Sequence, residues 1–289
     1  MKRDPNMRTH RSTLLCSLLA LTLSGCANLG SMAGNEPSLD KQGREALKLA
    51  HTLRDAQRLQ AAHGVYARMD ERQQLSGTYL LEYASIASAV RPPREALGLL
   101  ERARLSLGGD LKALPDAQRL ALCNGLGRAR LALGQSAQAE RDLRCAVQAD
   151  PRNTQALNGL GVALNLQGQG EQARQQFEAA LQIDPGYAPA LNNLALNWLA
   201  AGDIPRAIGL LNQARGLGDI SLQLNLALAY VLAGHDDTAR NVLLENLAPA
   251  QAEAILAGFR TAQSRVAAGA PLTSELLAAS QHPLKLVEE

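Results

Sequence analysis

Residues 154–187 read TQALNGLGVALNLQGQGEQARQQFEAALQIDPGY and contain the clearest copy of a pattern that occurs four times in the chain. In each copy a Leu–Gly or Leu–Ala pair precedes a glycine by eight and seven residues, and an alanine follows that glycine by five. The four glycines are Gly134, Gly168, Gly202 and Gly234. They are 34, 34 and 32 residues apart, which is the period of a helix-turn-helix repeat.

Small and large residues alternate in this copy as two closely crossing helices require. Gly161 and Ala173 are small where we expect the helices to cross, and Phe177 is one of the large residues that fill the surrounding space. Gly168 can end the first helix in a left-handed turn, and Pro185 cannot continue the second. The pattern therefore predicts a pair of antiparallel helices in each period.

The same positions resemble the tetratricopeptide repeat (TPR) motif at every diagnostic place. The matching residues are Leu157, Leu160, Gly161, Leu164, Ala173, Phe177, Ala180 and Pro185. The resemblance implies an all-α TPR solenoid, a right-handed superhelix in which the first helix of each pair lines a concave groove. Fainter copies in the same register begin at Gly43, which gives about six helix pairs.

The repeats divide the chain into four predicted segments. A C-terminal capping helix is expected after Pro249, from Ala250 to Val266, because the last repeat of a solenoid exposes an apolar face. Ala254, Ile255, Gly258 and Phe259 are predicted to share its apolar side. The segments are a signal peptide at 1–25, a lipidated cysteine and flexible tether at 26–42, the solenoid at 43–248, and the capping helix and tail at 249–289.

The N-terminus combines a basic start with an apolar run from Leu14 to Leu23, which is too short to span a bilayer. It ends in Leu23-Ser24-Gly25-Cys26, which resembles a bacterial lipobox, in which the cysteine is acylated and becomes the first residue. The alternative is an ordinary signal peptide with a coincidental cysteine. Several acyl chains would give stable anchoring. By the family's sorting rule Ala27, in place of aspartate, predicts the outer membrane, with the protein facing the periplasm.

Charge and motif content argue against nucleic-acid binding and against catalysis. Residues 1–25 carry a net charge of +3 while the whole chain carries +2, so the mature chain is at about −1 and has no basic surplus for nucleic acid. Four of the histidines, at positions 51, 63, 235 and 282, are scattered singly, and no phosphate-binding loop or serine elbow occurs. We predict no enzyme activity, no cofactor and no metal site; Asp236 and Asp237 are expected to cap a helix.

Two cysteines, Cys123 and Cys145, remain once Cys16 is removed with the signal peptide and Cys26 is acylated. They are predicted near the open ends of the two helices of one repeat. An oxidising periplasm would allow a disulfide between them. The alternative is two small residues that are buried separately in the core.

A row of asparagines is the best candidate for a functional site. Asn124, Asn158 and Asn192 occupy the same place on three successive first helices, and Asn193 and Asn225 follow one place later. A side-chain amide can both donate to and accept from a peptide backbone. The neighbouring apolar residues Val162, Leu196 and Leu228 would add contacts to a bound segment. The alternative is that the asparagines are solvated or couple neighbouring repeats.

A lipobox, a tether and TPR-like pairs together resemble the outer-membrane lipoproteins of pilus and secretion systems, in particular TadD of the tight-adherence (Flp) pilus. Pilotin-like lipoproteins of type IV pili are the next resemblance. Either implies a partner, the outer-membrane secretin, which the lipoprotein helps to reach or assemble in that membrane. A TPR lipoprotein that acts as a scaffold or regulator of periplasmic cell-wall enzymes is the alternative.

Overall fold

The computed structural model describes residues 38–270, and all regular secondary structure within this range is helical, without a β-strand. The predicted signal peptide, Cys26, the tether up to residue 37 and the tail after Ala270 lie outside the described residues. The α-helices are α1 Lys41–Asp55, α2 Leu59–Glu71, α3 Gly77–Val90, α4 Pro93–Ser106, α5 Asp116–Ala132, α6 Ser136–Ala149, α7 Thr154–Asn165, α8 Gly170–Ile183, α9 Ala188–Ala200, α10 Ile204–Ala214, α11 Ile220–Leu232, α12 Asp236–Leu244 and α13 Pro249–Ala267.

Helices α1 to α12 form six consecutive pairs, and each helix packs on the one before it and the one after it. This arrangement confirms the predicted all-α solenoid of six helix pairs. The first pair begins at Lys41, two residues before the predicted start. The reason is Asp40, whose carboxylate accepts a hydrogen bond from the Gly43 amide at 2.6 Å and thereby caps α1.

The helices of a pair cross most closely at the small residues that the repeat supplies. A methyl group added at Gly161 would lie 2.4 Å from Cε1 of Phe177, whose side chain is fully buried. Gly127 stands in the same relation to Leu143, at 2.5 Å from Cγ. The glycines are therefore needed to admit the large side chains of the second helices, as the sequence pattern predicts.

The turns inside the last four pairs use a left-handed glycine. The φ angles are 73° at Gly134, 76° at Gly168, 82° at Gly202 and 79° at Gly234. Residues with a Cβ rarely adopt this conformation, so glycine ends these first helices at low cost.

A charged network joins the second pair to the third across the predicted insertion between α4 and α5. Arg130 on α5 bonds Asp142 on α6 and Glu101 on α4. Burial raises the pKa of Asp142, whereas its hydrogen bond to Arg130 and the charge of that residue act in the opposite direction. The network holds the two pairs in register although the spacing between them is longer than one repeat.

The capping helix α13 packs against both helices of the sixth pair. Its buried face contains Ile255, Leu256 and Phe259, whereas Ala254 and Gly258 are exposed. The prediction that Ala254 and Gly258 share the buried side is therefore wrong. The face that contacts two helices is centred on Leu256 rather than on Ala254. Outside this face, the Gln263 amide donates to the Val231 carbonyl at 2.6 Å, and Arg260 pairs with Asp236.

Candidate functional site

The first helices α5, α7, α9 and α11 contact one another directly, in addition to their contacts within each pair. Equivalent side chains therefore lie side by side along one surface, which we call the first-helix face. Three rows define it, with members 34, 43, 34, 34 and 32 residues apart. The rows are Leu47, Leu81, Asn124, Asn158, Asn192 and Leu224; Lys48, Glu82, Gly125, Gly159, Asn193 and Asn225; and His51, Ser85, Arg128, Val162, Leu196 and Leu228.

Four of the predicted asparagines hydrogen-bond to one another between successive repeats. Nδ2 of Asn193 donates to Oδ1 of Asn158 at 2.9 Å, and Nδ2 of Asn225 donates to Oδ1 of Asn192. The asparagines thus couple neighbouring repeats, which was the alternative to partner binding.

The same bonds leave polar groups available at the surface. Among residues 38–270, neither Nδ2 of Asn158 nor Oδ1 of Asn193 has a hydrogen-bond partner, and both residues are half-buried. Nδ2 of Asn192 likewise has no hydrogen-bond partner among these residues, and Asn192 is also half-buried. The Asn158–Asn193 pair therefore presents a donor and an acceptor side by side, with both side chains already held in place.

The sixth pair does not contribute to this surface. Asn225 is only 5% exposed and Leu228 only 1%, so the prediction that they contact a partner is wrong. Both lie in or beside the apolar cluster that α13 completes with Ile255, Leu256 and Phe259. The capping helix buries the end of the solenoid and removes this repeat from the accessible rows.

Asn124 differs from the other members of its row because its Oδ1 atom is buried and has no partner in the described part of the chain. In the next repeat the place of the donor Asn193 is taken by Gly159. A methyl group added at Gly159 would lie 2.9 Å from Cδ2 of Leu143. Packing of Leu143 thus requires glycine at position 159. Asn124 is therefore left without an asparagine in the next repeat to donate a hydrogen bond to it.

Two of the three predicted apolar side chains lie near the accessible asparagines. Val162 and Leu196 are half-buried, and Leu166, one turn after Val162, is 56% exposed. The fourth and fifth pairs therefore combine amide groups with apolar contact area on one surface.

The other end of the first-helix face carries a pocket that the sequence did not lead us to predict. Arg44, Leu47, Lys48 and His51 of α1 line it together with Leu39 and Tyr79. The spacing of three of these residues, 44, 48 and 51, places basic side chains on one side of a helix, and this was the signal in the sequence.

A hydrogen-bonded cluster lies beside this pocket. His51 Nε2 lies 2.7 Å from Oε2 of Glu82, and the Tyr66 hydroxyl donates to the same oxygen at 2.8 Å. Burial, together with the Glu82 carboxylate, raises the pKa of Tyr66 well above its usual range. Glu82 is therefore held by two partners from the first pair.

Residues 38–270 contain no group of three or more His, Cys, Asp and Glu side chains that could hold a metal ion. No helix in the same range combines the length and the apolarity needed to cross a membrane. The expectation that Asp236 and Asp237 cap a helix is wrong in detail: the N-cap is His235, and no side chain makes the capping bond. The two aspartates lie in the first turn, where a negative charge stabilises the helix by its interaction with the helix dipole.

The two cysteines form a disulfide that joins α5 and α6 of the third pair, with 5.8 Å between their Cα atoms. Cys123 is fully buried next to Asn124, so the bond also fixes the part of α5 that contributes to the first-helix face.

We predict that mass spectrometry of non-reduced peptides from periplasmically expressed protein detects Cys123 linked to Cys145. Because the bond closes 22 residues, its loss in a Cys123→Ser/Cys145→Ser variant should lower the free energy of unfolding by about 2–4 kcal/mol. Dithiothreitol should destabilise the wild type by the same amount and leave the variant unchanged. Free thiols at both positions in the periplasmic protein would contradict the prediction.

Comparison with known proteins agrees with the repeat pattern. Two models of the tetratricopeptide repeat match residues 124–188 and 164–219, whereas no curated protein matches the chain. Repeats of this family are typically scaffolds for protein–protein interaction, and residues 124–219 of this chain are similar to them.

Two solved structures with TM-scores above 0.5 agree with the solenoid fold. A tetratricopeptide repeat protein from Parabacteroides merdae has a TM-score of 0.58 at 15% identity, over 85% of this chain and 98% of that one. MamA from Desulfovibrio magneticus has a TM-score of 0.51 at 13% identity, over 62% and 97%. YrrB, described as a TPR protein with an unusual peptide-binding site, has a TM-score of 0.46 at 22% identity, over 60% and 84%.

Proposed function

We propose that this tetratricopeptide repeat protein is an outer-membrane lipoprotein that binds an extended segment of a partner along its first-helix face. The partner we propose is the outer-membrane secretin of a tight-adherence (Flp) pilus system, which the protein helps to reach or assemble in the membrane. The observation that carries the binding role is the Asn158–Asn193 pair, whose unpaired donor and acceptor adjoin Val162 and Leu196.

The chemistry of this pair suits a peptide backbone. An extended segment presents carbonyl and amide groups, which the NH₂ group of Asn158 and the carbonyl oxygen of Asn193 can bond. Because the two side chains already hold each other, little side-chain freedom is lost on binding. Val162 and Leu196 would then contact apolar side chains of the same segment.

The membrane role rests on sequence outside the described residues. Cys26 and the tether up to residue 42 would keep the solenoid close to the outer membrane on its periplasmic face. Such tethering raises the local concentration of the scaffold near a partner in the same membrane. A secretin fits this placement, and the resemblance to TadD supports that choice.

The test removes the accessible amide pair as a unit. We predict that Asn158→Ala/Asn193→Ala weakens binding to the purified periplasmic domain of the secretin by about 5- to 150-fold, since two neutral hydrogen bonds together contribute about 1–3 kcal/mol. Removal of both partners leaves neither stranded, so the fold should persist. Asn192→Ala is unsuitable because it would strand the buried amide of Asn225.

A matched control carries Gln175→Ala and Asn241→Ala, two exposed amides on the second helices α8 and α12. It should bind like the wild type, and circular dichroism should be unchanged in both double variants. Wild-type affinity of a folded Asn158→Ala/Asn193→Ala variant would move the site elsewhere. Co-purification of a cell-wall synthase or hydrolase in place of the secretin would favour the alternative function.

A further inference from the structure

Charge is distributed unevenly along the solenoid. The first three pairs, residues 38–152, contain 18 Lys and Arg against 13 Asp and Glu, whereas residues 153–270 contain 6 against 9. The first half of the described chain is therefore positive and the second half is negative. An anionic surface would attract the N-terminal half of the solenoid and repel the other half.

Part of the positive charge is exposed on one side of α1. Lys41, Arg44 and Lys48 are exposed, and their spacing of three and four residues places them on the same side of the helix. The Arg44 guanidinium donates to the backbone carbonyl of Leu39, which orients it. None of the three cations forms an ion pair within residues 38–270, although Glu45 lies on the same helix. Their charge is thus available to an external anion.

Two of these cations line the pocket at the first pair, which we call the N-terminal pocket. Its volume is about 570 Å³, and its walls include the apolar side chains of Leu39 and Leu47 and the ring of Tyr79. No carboxylate lines it, and the nearby Glu82 is already bonded by two side chains of the first pair. A ligand that fits the pocket therefore carries an anionic group next to an apolar group.

The N-terminal pocket lies close in sequence to the proposed lipid anchor. Leu39 follows Cys26 by 13 residues. A fully extended chain of this length spans no more than about 45 Å. The acylated cysteine would therefore keep the pocket near the membrane surface, where phospholipid headgroups have a high local concentration.

We infer that the N-terminal pocket docks on the anionic phospholipids of the membrane that holds the anchor, and that it binds the phosphate of phosphatidylglycerol through Arg44 and Lys48. Arg44 can bond a phosphate through two parallel N–H groups, and Lys48 adds a point charge. Leu39 and Leu47 then contact the glycerol esters and the first methylene groups of the lipid. Tyr79 suits this depth, because its ring has an apolar body and a polar end.

This inference rests on the proposed function and gives the anchored protein an orientation. A contact made by two cations is weak and reversible, so the acyl chains remain the anchor. The docked pocket places the first pair at the membrane, and the first-helix face leads from there towards Asn158 and Asn193. These asparagines stay available to the periplasmic domain of the partner.

The experiment measures partition between water and vesicles. The mature chain from Ala27 onward, which lacks only the acylated cysteine, is sedimented with sucrose-loaded vesicles over a range of lipid concentrations. The vesicles contain equal parts of phosphatidylethanolamine and phosphatidylglycerol, or the same mixture with phosphatidylcholine in place of phosphatidylglycerol. We expect a partition coefficient at least about tenfold higher with phosphatidylglycerol. Equal partition into both mixtures would overturn the inference.

Charge variants locate the effect. Arg44→Gln/Lys48→Gln should lower partition into the anionic vesicles at least about tenfold and leave partition into the neutral vesicles unchanged. The control Arg68→Gln/Arg94→Gln removes the same charge from two exposed cations of α2 and α4 that have no ion-pair partner in residues 38–270, and it should partition like the wild type. Equal losses in both variants would indicate attraction by net charge alone and would overturn the inference.

Tyr79→Ala tests the apolar wall without a change of charge. Partition into the anionic vesicles should fall several-fold while the circular dichroism spectrum stays that of the wild type. Wild-type partition of a folded Tyr79→Ala variant would show that the lipid meets a charged surface rather than the pocket, and it would overturn the assignment to the pocket.

Two further measurements separate the lipid from other anions. Micromolar binding of inorganic phosphate in a calorimetric titration, without a preference for phosphatidylglycerol vesicles, would assign the pocket to a free anion and overturn the inference. Loss of secretin binding in Arg44→Gln/Lys48→Gln, with unchanged vesicle partition, would assign the pocket to the protein partner and also overturn it.

The asparagine variant distinguishes this inference from the proposed function. Asn158→Ala/Asn193→Ala leaves the pocket intact and should partition into vesicles like the wild type. If this variant also binds the secretin like the wild type, the proposed binding surface is wrong while the docking of the N-terminal pocket on lipid stands.

Discussion

Replacement of Phe177 with alanine is expected to lower the free energy of unfolding by about 3–5 kcal/mol, because it empties the centre of the fourth pair. The ring is fully buried and occupies the space that Gly161 leaves open. Each pair of a solenoid packs only on its neighbours, so the fourth pair also supports the third and the fifth. Urea denaturation followed by circular dichroism measures the change.

Two further variants test whether the Gly161–Phe177 contact is the cause. Gly161→Ala alone should cost about 1–3 kcal/mol through overpacking, since its methyl group would lie 2.4 Å from the ring. In the Phe177→Ala background the same methyl group enters vacated space, so the two effects should not add. The exposed residue Leu166 provides a control, because Leu166→Ala should change stability by no more than about 0.5 kcal/mol. Additive costs at Gly161 and Phe177 would contradict this account.

The pairs and their turns could be predicted because their determinants are local. The left-handed glycine at Gly168 and the proline at position 185 act within a few residues of the chain, and the small residue at Gly161 meets Phe177 on the very next helix. The burial pattern of the first, less regular copy was harder to predict, and Leu49 illustrates why. It matches a repeat position that is buried in later pairs, yet it is 50% exposed, since in the described range the first pair has a neighbour on one side only.

The properties of the candidate site depended on contacts between distant residues. An asparagine has the same place in the repeat whether its amide meets a partner or the next helix, so the bond from Asn193 to Asn158 could not be read from spacing. Burial of Leu228 accompanies the packing of α13, whose buried face is centred on Leu256 rather than on Ala254 as the sequence predicted. The N-terminal pocket combines Leu39 and Tyr79, which are 40 residues apart in sequence.

These contacts change how the amide row should be understood. The side chains of Asn192 and Asn225 stabilise the junction between the fifth and sixth pairs, and Asn225 is too deeply buried for a partner to reach. The Asn158–Asn193 pair makes the same kind of bond where the surface is still accessible. The repeated asparagines therefore join neighbouring repeats at the capped end. In our proposal, the pair in the middle of the solenoid also binds the partner.

Cys26→Ser is expected to move the protein almost completely from the membrane to the soluble periplasmic fraction. The prediction follows from the lipobox, because the acylated cysteine is the only anchor that we propose and it lies outside the described residues. One acyl chain gives a weak, reversible association of about 10⁴ M⁻¹, whereas two or more anchor a protein stably. Removal of all chains should therefore shift the distribution by orders of magnitude, and metabolic labelling with a palmitate analogue should lose its signal.

Ala27→Asp is the matched control, because it keeps the acylated cysteine and changes only the sorting residue. It should remain membrane-bound and labelled, but should shift from the outer-membrane to the inner-membrane band of a sucrose gradient. Wild-type protein in the inner-membrane band would contradict the sorting prediction. Outer-membrane retention of an unlabelled Cys26→Ser variant would show that protein contacts rather than acyl chains hold it there, and a secretin null strain would then test whether the secretin makes those contacts.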